Sequence, residues 1–141
     1  MEQMLAFVTN HWALSLAFVA IAAALLASFV YPSLQGVRKL SPGDAIRLIN
    51  QEDAVVVDVR TEGEFRQGHI VNALHVNPKS VSEQSDKLDK YRSRPVIVAC
   101  RSGHQSASVA ARLRKRGFEQ VHNLQGGMLA WENASLPVSR K

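Results

Sequence analysis

The feature that most constrains this chain is a run of twenty residues, Trp12–Tyr31, without a charged side chain. At a rise of about 1.5 Å per residue, a helix of that length spans about 30 Å, the thickness of a bilayer's hydrocarbon core. Trp12 and Tyr31 stand at its two ends, where aromatic rings favour the membrane interface, and Pro32 follows as a helix stop. The run therefore predicts a transmembrane helix over residues 12–31.

Two other interpretations of the run are a cleaved signal peptide and a helix buried in a soluble core. A signal peptide has a basic start and an apolar part of only ~7–15 residues, whereas no Lys or Arg precedes this longer run. A core helix is seldom apolar on all sides over such a length. Both alternatives are therefore disfavoured.

The flanks of the run predict its orientation. Arg38 and Lys39 follow it closely, whereas Glu2 is the one charged side chain before it. The positive-inside tendency then places the C-terminal part in the cytosol. We expect a single-pass protein of a bacterial-type inner (plasma) membrane, with an outer tail over residues 1–11, a linker over 32–37 and a domain over 38–141.

The part after the run has the length of one domain with a single core. It contains all 17 Lys and Arg residues and 11 of the 12 acidic residues, which gives it a formal net charge of +6. This charge favours anionic small molecules, acidic partners or anionic lipid. The bases are scattered among acids, so no nucleic-acid partner is predicted.

Short apolar runs alternate with helical patterns along this domain. The predicted strands are Val37–Leu40, Ala54–Val57, Ala73–Val76, Pro95–Ala99 and a last one that includes Val121 and Leu124. The helices between them are predicted to start with Ser41 as an N-cap, at Thr61, in the polar stretch around Leu88 and at Ser106, and a last short one covers Met128 to Glu132. Such alternation predicts an α/β fold with a central, mostly parallel sheet flanked by helices.

Cys100 is the single cysteine of the chain, so it forms no internal disulfide and no multi-cysteine zinc site. It follows a predicted buried strand and begins a polar loop, Cys100–Ser106, that leads into a helix. Binding sites of α/β sheets lie at such strand ends, and loop N–H groups together with the helix dipole favour thiolate over thiol. We therefore predict a reactive nucleophile, with an inert buried cysteine as the alternative.

Three groups of residues occur in an informative order and spacing. They are Asp58-Val59-Arg60 with Glu64-Phe65, Gly68-His69-Ile70 and Ala73; the loop Cys100–Ser106; and Gly126-Gly127 with Trp131. Together they resemble the rhodanese superfamily over nearly all of Arg38–Lys141. The resemblance implies a sulfurtransferase in which the Cys100 thiolate takes sulfane sulfur from thiosulfate or a persulfide donor and passes it to a thiol acceptor. It implies neither cofactor nor metal.

The same resemblance assigns substrate binding to the loop, whose members after the cysteine are Arg101, Ser102, Gly103, His104, Gln105 and Ser106. Related phosphatases need an Arg six residues after the cysteine to hold phosphate, and Ser106 stands there instead, which disfavours phosphoryl chemistry. Gln105 stands where the family often has Arg. Arg101 is either a replacement cation or a solvated charge, and for His104 a solvated ring is favoured over a role in orienting substrate.

Three charged residues before the loop are interpreted as structural. Asp58, Arg60 and Glu64 are predicted to form an ion-pair network that fixes a strand end and the next helix, because an unpaired buried charge is costly. His69 is predicted to be a hydrogen-bonded residue of the fold.

A second hypothesis is a non-enzymatic rhodanese-like module that docks onto a membrane protein, with the small residues of the transmembrane helix packing against a partner helix. Membrane lipid is a further expected partner. The basic residues near the end of one helix, Arg112, Arg114, Lys115 and Arg116, are interpreted as a solvated face, with contact to lipid headgroups as the alternative.

Overall fold

The computed structural model of the protein describes residues 1–34, 36–81, 83 and 85–141. The chain divides into two compact units, Met1–Leu34 and Gln35–Lys141. The first is helical and the second is an α/β domain.

The N-terminal unit consists of helix α1, Glu2–Asn10, and helix α2, Trp12–Leu34. Within α2, the segment Trp12–Val30 is long and apolar enough to cross a membrane, with a mean hydropathy of 2.5, and none of its residues is buried in the protein. Helix α1 lies within the expected tail. Pro32 does not end α2, contrary to the expectation, because a proline in the last turn removes only one backbone hydrogen bond.

The α/β domain contains the remaining elements. Its strands are β1 Val37–Leu40, β2 Val55–Asp58, β3 His69–Ile70, β4 Leu74–His75, β5 Val96–Ala99, β6 Val121–Leu124 and β7 Val138–Ser139. Its helices are α3 Pro42–Glu52, α4 Glu62–Gln67, α5 Ser85–Asp89, α6 His104–Lys115 and α7 Gly127–Asn133, with a 3₁₀ turn at Pro78–Ser80. The expected linker over 32–37 is largely taken up by the end of α2 and the start of β1, and its residue Gln35 lies outside the described residues.

Five strands form a parallel sheet in the order β1-β6-β5-β2-β4. From β2 the chain proceeds to one side of the sheet, and from β5 it proceeds to the other, so the topological switch point lies between these two central strands. Ligands of open α/β sheets bind beyond the carboxyl ends of the strands at such a point. Cys100 follows β5 at this position.

Both faces of the sheet are covered. Every residue of β2 and β5 is buried, and neighbouring residues belong to opposite core clusters. Val57 and Val98 pack with the α6 side chains Val109 and Leu113, whereas the other cluster includes Trp131 of α7. The prediction of a mostly parallel α/β sheet flanked by helices is confirmed.

A second, two-stranded antiparallel sheet joins β3 to β7 and was not predicted. Each of its strands has two residues, which is too short for a periodic apolar pattern.

The phase of helix α6 also differs from the expectation. The helix begins at His104 and not at Ser106, because Gly103, at φ +95°, completes the turn out of the loop. The buried stripe of α6 is Ser106, Val109, Ala110 and Leu113, whereas Ala107 is exposed. A serine therefore occupies a core position of this helix.

Candidate active site

The start of α7 holds the backbone of the cysteine loop. The N–H of Met128 donates to the carbonyl of Cys100 at 2.8 Å, and the N–H of Leu129 donates to the carbonyl of Arg101 at 3.2 Å. Gly127 lies against both carbonyls, since a Cβ there would come within 2.3 Å of the Cys100 oxygen. Because α7 binds these two carbonyls, the backbone of the loop is held so that the N–H groups of Ser102, Gly103 and Ser106 can donate to the sulfur.

Gly103 closes the loop in a left-handed conformation. Its N–H donates to the Cys100 Sγ at 3.0 Å. A Cβ at this position would lie 3.2 Å from the carbonyl oxygen of Leu124 and 3.3 Å from the nitrogen of Gly126, which is tighter than ordinary packing. Both the backbone angle and the space therefore favour glycine here.

The Cys100 residue is only 3% exposed, and its sulfur is surrounded by hydrogen-bond donors. Burial by itself raises the pKa of the thiol. Hydrogen bonds to the thiolate form, from the Ser106 hydroxyl and from the backbone N–H groups of Ser106, Gly103 and Ser102, outweigh this effect and bring the pKa below that of an ordinary cysteine. The arrangement is that of a stabilised thiolate nucleophile.

Asn123 of β6 is part of the site and was missed by sequence reasoning. The Cys100 thiol donates to the Ser106 Oγ at 3.2 Å, and the Ser106 hydroxyl donates to the Asn123 Oδ1. The Asn123 Nδ2 donates to the Gly103 carbonyl at 3.0 Å, and Gly103 returns its N–H to the sulfur. A polar amide within the buried strand β6 was the available signal, because a buried amide requires partners.

The remaining loop side chains point outward. Arg101, Ser102, His104 and Gln105 are exposed, whereas Ser106 is buried. In the part of the chain that the structure describes, loop residues line the following clefts. The first, of about 260 Å³, is lined by Arg101 with Arg60, Glu64, Gln67, Gly68, Met128, Leu129 and Glu132. The second, of about 390 Å³, is lined by Gln105 with Val59, Arg60, Thr61, Glu62, Glu64, His75, Asn77, Pro78 and Lys79.

Arg101 is not a fully free charge. Its Nη1 lies 3.8 Å from the Oε1 of Glu64, although 73% of the Arg101 side chain remains exposed. The guanidinium therefore stands at the rim of the first cleft, loosely paired and accessible. His104 is the first residue of α6, and its side chain lies on the exposed side of that helix.

Asp58 and Arg60 form a buried bidentate pair beside the loop. The Arg60 Nε donates to the Asp58 Oδ1 at 3.0 Å, and its Nη2 donates to Oδ2 at 2.7 Å. The same Nη2 donates to the carbonyl of Gly68 at 2.7 Å, which ties the end of β2 to the end of α4. His69 stacks on Phe65, with ring centroids 3.8 Å apart, and its Nδ1 lies 2.7 Å from the Phe65 carbonyl oxygen.

Glu64 interacts with Arg60 of this pair through charge, and its hydrogen bonds are with Thr61. It forms a capping box with Thr61 at the start of α4. Hydrogen bonds from the Thr61 hydroxyl and N–H lower the pKa of Glu64, and Arg60 and Arg101 lower it further by their charge. Glu64 therefore joins a helix cap to the cationic rim of the first cleft.

Among the described residues, no group of three or more His, Cys, Asp or Glu side chains could hold a metal ion.

Comparison with known proteins extends these observations. The family described as Rhodanese-like domain matches residues 41–134. A relative named "Uncharacterized protein YibN" from Escherichia coli K12 is 38% identical over 99% of each chain, a match that includes the N-terminal helices. "Thiosulfate sulfurtransferase GlpE" from Coxiella burnetii is 38% identical over 67% of this chain and 87% of its own.

Solved structures agree with the family match. The crystal structure of a rhodanese-related protein from Thermoplasma volcanium superposes with a TM-score of 0.66 at 26% identity, over 74% of this chain and 99% of that one. That crystallised chain therefore consists almost entirely of the matching fold. From the loop geometry, the family match and these relatives, the chain belongs to the rhodanese-like sulfurtransferase family.

Proposed function

We propose that this protein is a membrane-anchored sulfurtransferase that carries sulfane sulfur as a persulfide on Cys100. The observation that supports this most directly is the sulfur itself. It lies at the end of the central strand β5, receives the Gly103 N–H at 3.0 Å, and has a pKa lowered by the surrounding donors. A thiolate held in this way is a nucleophile, while the nearby Asp58 carboxylate is fully engaged by Arg60.

The reaction we propose has two displacements at sulfur. The Cys100 thiolate attacks the outer sulfur of thiosulfate, the new S–S bond forms, and sulfite leaves with the electron pair of the broken bond. An acceptor thiolate then attacks the outer sulfur of the Cys100 persulfide and releases the Cys100 thiolate. Charge balances in both steps, there is no net oxidation of the protein, and no proton has to be transferred.

The protein's contribution is to hold negative charge at fixed positions. The loop N–H groups that face the Cys100 sulfur are preorganised donors, as in an oxyanion hole, and stabilise the thiolate before attack. Arg101 supplies a cation at the rim, where a dianionic donor would approach. Gln105, in the second cleft, offers hydrogen bonds without charge.

Membrane attachment is the second part of the proposal. It is supported by the segment Trp12–Val30, whose apolar side chains are exposed, and by Arg38 and Lys39, which follow soon after α2. We propose a single-pass protein of a bacterial-type inner membrane with the N-terminus outside and the domain in the cytosol, in contact with membrane lipid. Retention in alkali-washed membranes and protease digestion of the domain only in inverted vesicles would support it. Recovery in the soluble fraction would contradict it.

Mass spectrometry tests the chemistry. Purified protein is treated with thiosulfate without reductant, and we expect a gain of one sulfur, about 32 Da, on Cys100 that cyanide removes. Cys100→Ser is the matched control and should gain nothing. A folded wild-type protein that gains no sulfur would contradict thiosulfate sulfurtransfer. It would then favour the second hypothesis, a docking module for a membrane protein.

A further inference from the structure

Four hydrogen bonds form a closed ring around the Cys100 sulfur. In order, the Cys100 thiol donates to Ser106, Ser106 donates to Asn123, Asn123 donates to the Gly103 carbonyl, and the Gly103 N–H donates to the sulfur. Three of the four participating residues come from the loop and the first turn of α6. Asn123 alone comes from another strand, β6.

The orientation of the Asn123 amide follows from chemistry. The carbonyl of Gly103 can only accept, so it must face the Asn123 Nδ2, which lies 3.0 Å away. The Asn123 Oδ1 therefore faces Ser106, and this oxygen also can only accept. Flipping the amide would place two acceptors against each other at Gly103.

The Ser106 hydroxyl has a single proton for two acceptors. With Cys100 as a thiol, the sulfur donates to the Ser106 oxygen and the hydroxyl donates to Asn123, so each group has a partner. With Cys100 as a thiolate, the sulfur can only accept, and it competes with Asn123 for the hydroxyl proton. Ser106 and Asn123 are 0% and 4% exposed. Water is therefore poorly placed to donate a hydrogen bond to whichever acceptor, the sulfur or the Asn123 Oδ1, does not receive the hydroxyl proton.

We propose that Asn123 is a positioning residue of the sulfur site, which competes for the Ser106 proton and thereby opposes formation of the Cys100 thiolate. After sulfur transfer the negative charge lies on the outer sulfur of the persulfide. The inner sulfur then attracts the hydroxyl less, and Ser106 can donate to Asn123 again. Under the proposed function, Asn123 therefore favours the sulfur-loaded state over the free thiolate.

Other charges near the ring do not enter this competition. The charged or titratable groups on the elements around it are Asp58 and Arg60 of β2 and its end, Glu64 of α4, Arg101 of the loop, His104 and the basic C-terminal turn of α6, Glu132 of α7, His122 of β6, and Arg38 and Lys39 of β1. They are unchanged in the variants compared below, so their contributions cancel.

A double-mutant cycle on the full-length protein tests the proposal. The four proteins are wild type, Asn123→Leu, Ser106→Ala and the double variant, and the readout is the rate of Cys100 alkylation by iodoacetamide as a function of pH. Cys100 is the only cysteine, so the titration reports one thiol. Both proteins with Asn123→Leu lose the hydrogen bond from Asn123 to the Gly103 carbonyl. Its effect therefore cancels when the Asn123→Leu shifts in the two backgrounds are compared.

We expect Asn123→Leu to change the alkylation midpoint differently in the two backgrounds. With Ser106 present, the freed hydroxyl can serve the thiolate. With Ser106 present, Asn123→Leu should therefore shift the alkylation midpoint to a pH about one unit lower, relative to the shift that the same substitution causes in the Ser106→Ala background. At a fixed pH below the midpoint, this difference corresponds to about a tenfold gain in the thiolate fraction. Equal changes in both backgrounds would overturn the proposal, because Asn123 would then act only through Gly103. A difference of opposite sign would overturn it too.

Two measures keep this test decisive. Asn123→Ala gives the same cycle with a smaller side chain if leucine prevents folding, and cooperative thermal unfolding verifies each variant. Alkylation requires no sulfur donor, so its outcome is independent of whether the protein transfers sulfur from thiosulfate.

Discussion

A Cβ atom on Gly127 would lie 2.3 Å from the carbonyl oxygen of Cys100. The same Cβ would lie 2.6 Å from the carbonyl carbon and oxygen of Arg101, so the first residue of α7 is in direct contact with the backbone of the cysteine loop. All three neighbours are backbone atoms, and no side-chain rotation can relieve the clash. The loop and α7 are thus packed together as closely as a residue without a side chain allows.

We expect Gly127→Ala to destabilise the domain by about 3 kcal/mol, because α7 and the loop must separate and the φ of +58° disfavours alanine. Urea unfolding of residues 36–141 measures this change. Gly63→Ala is the matched control, since Gly63 lies in α4 with nothing within 4 Å of its Cβ position. That variant should be neutral or more stable by about 0.5–1 kcal/mol. Equal effects at the two positions would contradict the packing argument.

The parts of the fold that can be predicted from sequence have strong local patterns. The apolar runs Val55–Val57 in β2 and Val96–Ala99 in β5 indicate buried parallel strands, and the position of Cys100 after β5 indicates a site at the sheet edge. What the sequence does not reveal depends on contacts between distant segments. The bond between Asn123 and Ser106 joins β6 to α6, and the pairing of β3 with β7 involves residues too few to show a period.

Two polar members of the site have partners or positions that the sequence does not reveal, for a physical reason. Glu64 was predicted to share an ion-pair network with Asp58 and Arg60, and it interacts with Arg60 through charge. The capping box with Thr61 adds local hydrogen bonds that also satisfy helix N–H groups. A polar residue such as Ser106 is expected in a loop, although one turn of helix places it in the buried stripe of α6.

Arg60→Ala is expected to destabilise the domain by about 3–5 kcal/mol. The Asp58 and Arg60 side chains are 1% and 8% exposed, so removing the guanidinium leaves a carboxylate in the core without its partner. The carbonyl of Gly68 loses its donor as well. Chemical unfolding of residues 36–141 at neutral pH gives the difference in unfolding free energy.

Arg66→Ala is the matched control for that substitution. Arg66 pairs with Glu62 on the surface, with side chains 76% and 65% exposed, and such pairs contribute at most about 1 kcal/mol. A loss at Arg60 no larger than at Arg66 would mean that burial of the Asp58–Arg60 pair has little energetic effect.

The buried side chain of His122 is expected to make the stability of the domain depend on pH. Its ring is buried and neither nitrogen has a hydrogen-bond partner among the described residues. Burial lowers the pKa of His122, the Arg38 charge lowers it further, and Glu52 partly opposes this. Because the folded-state pKa is depressed, the unfolded chain binds more protons below pH ~6.5, and stability falls as the pH falls from that value through the folded-state pKa.

We therefore expect His122→Phe to remove this part of the acid sensitivity and to preserve or raise stability at pH 7, because no hydrogen bond is lost. Thermal unfolding of residues 36–141 between pH 5 and pH 8, the range around the ordinary histidine pKa, measures the effect. His104→Phe, which places the same ring on the surface, controls for the substitution. An unchanged acid slope in the His122 variant would show that another group causes the acid sensitivity.

Gln105→Arg is expected to lower the KM for thiosulfate about three- to tenfold, because a guanidinium in the cleft beside the loop attracts a dianion more strongly than an amide does. Gln105 is exposed on the first turn of α6, so the longer side chain has space and the fold should not change. The assay follows thiocyanate formation from thiosulfate and cyanide at two salt concentrations. The decrease in KM should be smaller at high salt because screening weakens the attraction.

Gln51→Arg, an exposed change on α3, adds the same charge away from the loop and should leave KM unchanged. A KM that is the same in wild type and in Gln105→Arg would mean that the donor anion does not approach Cys100 through this cleft.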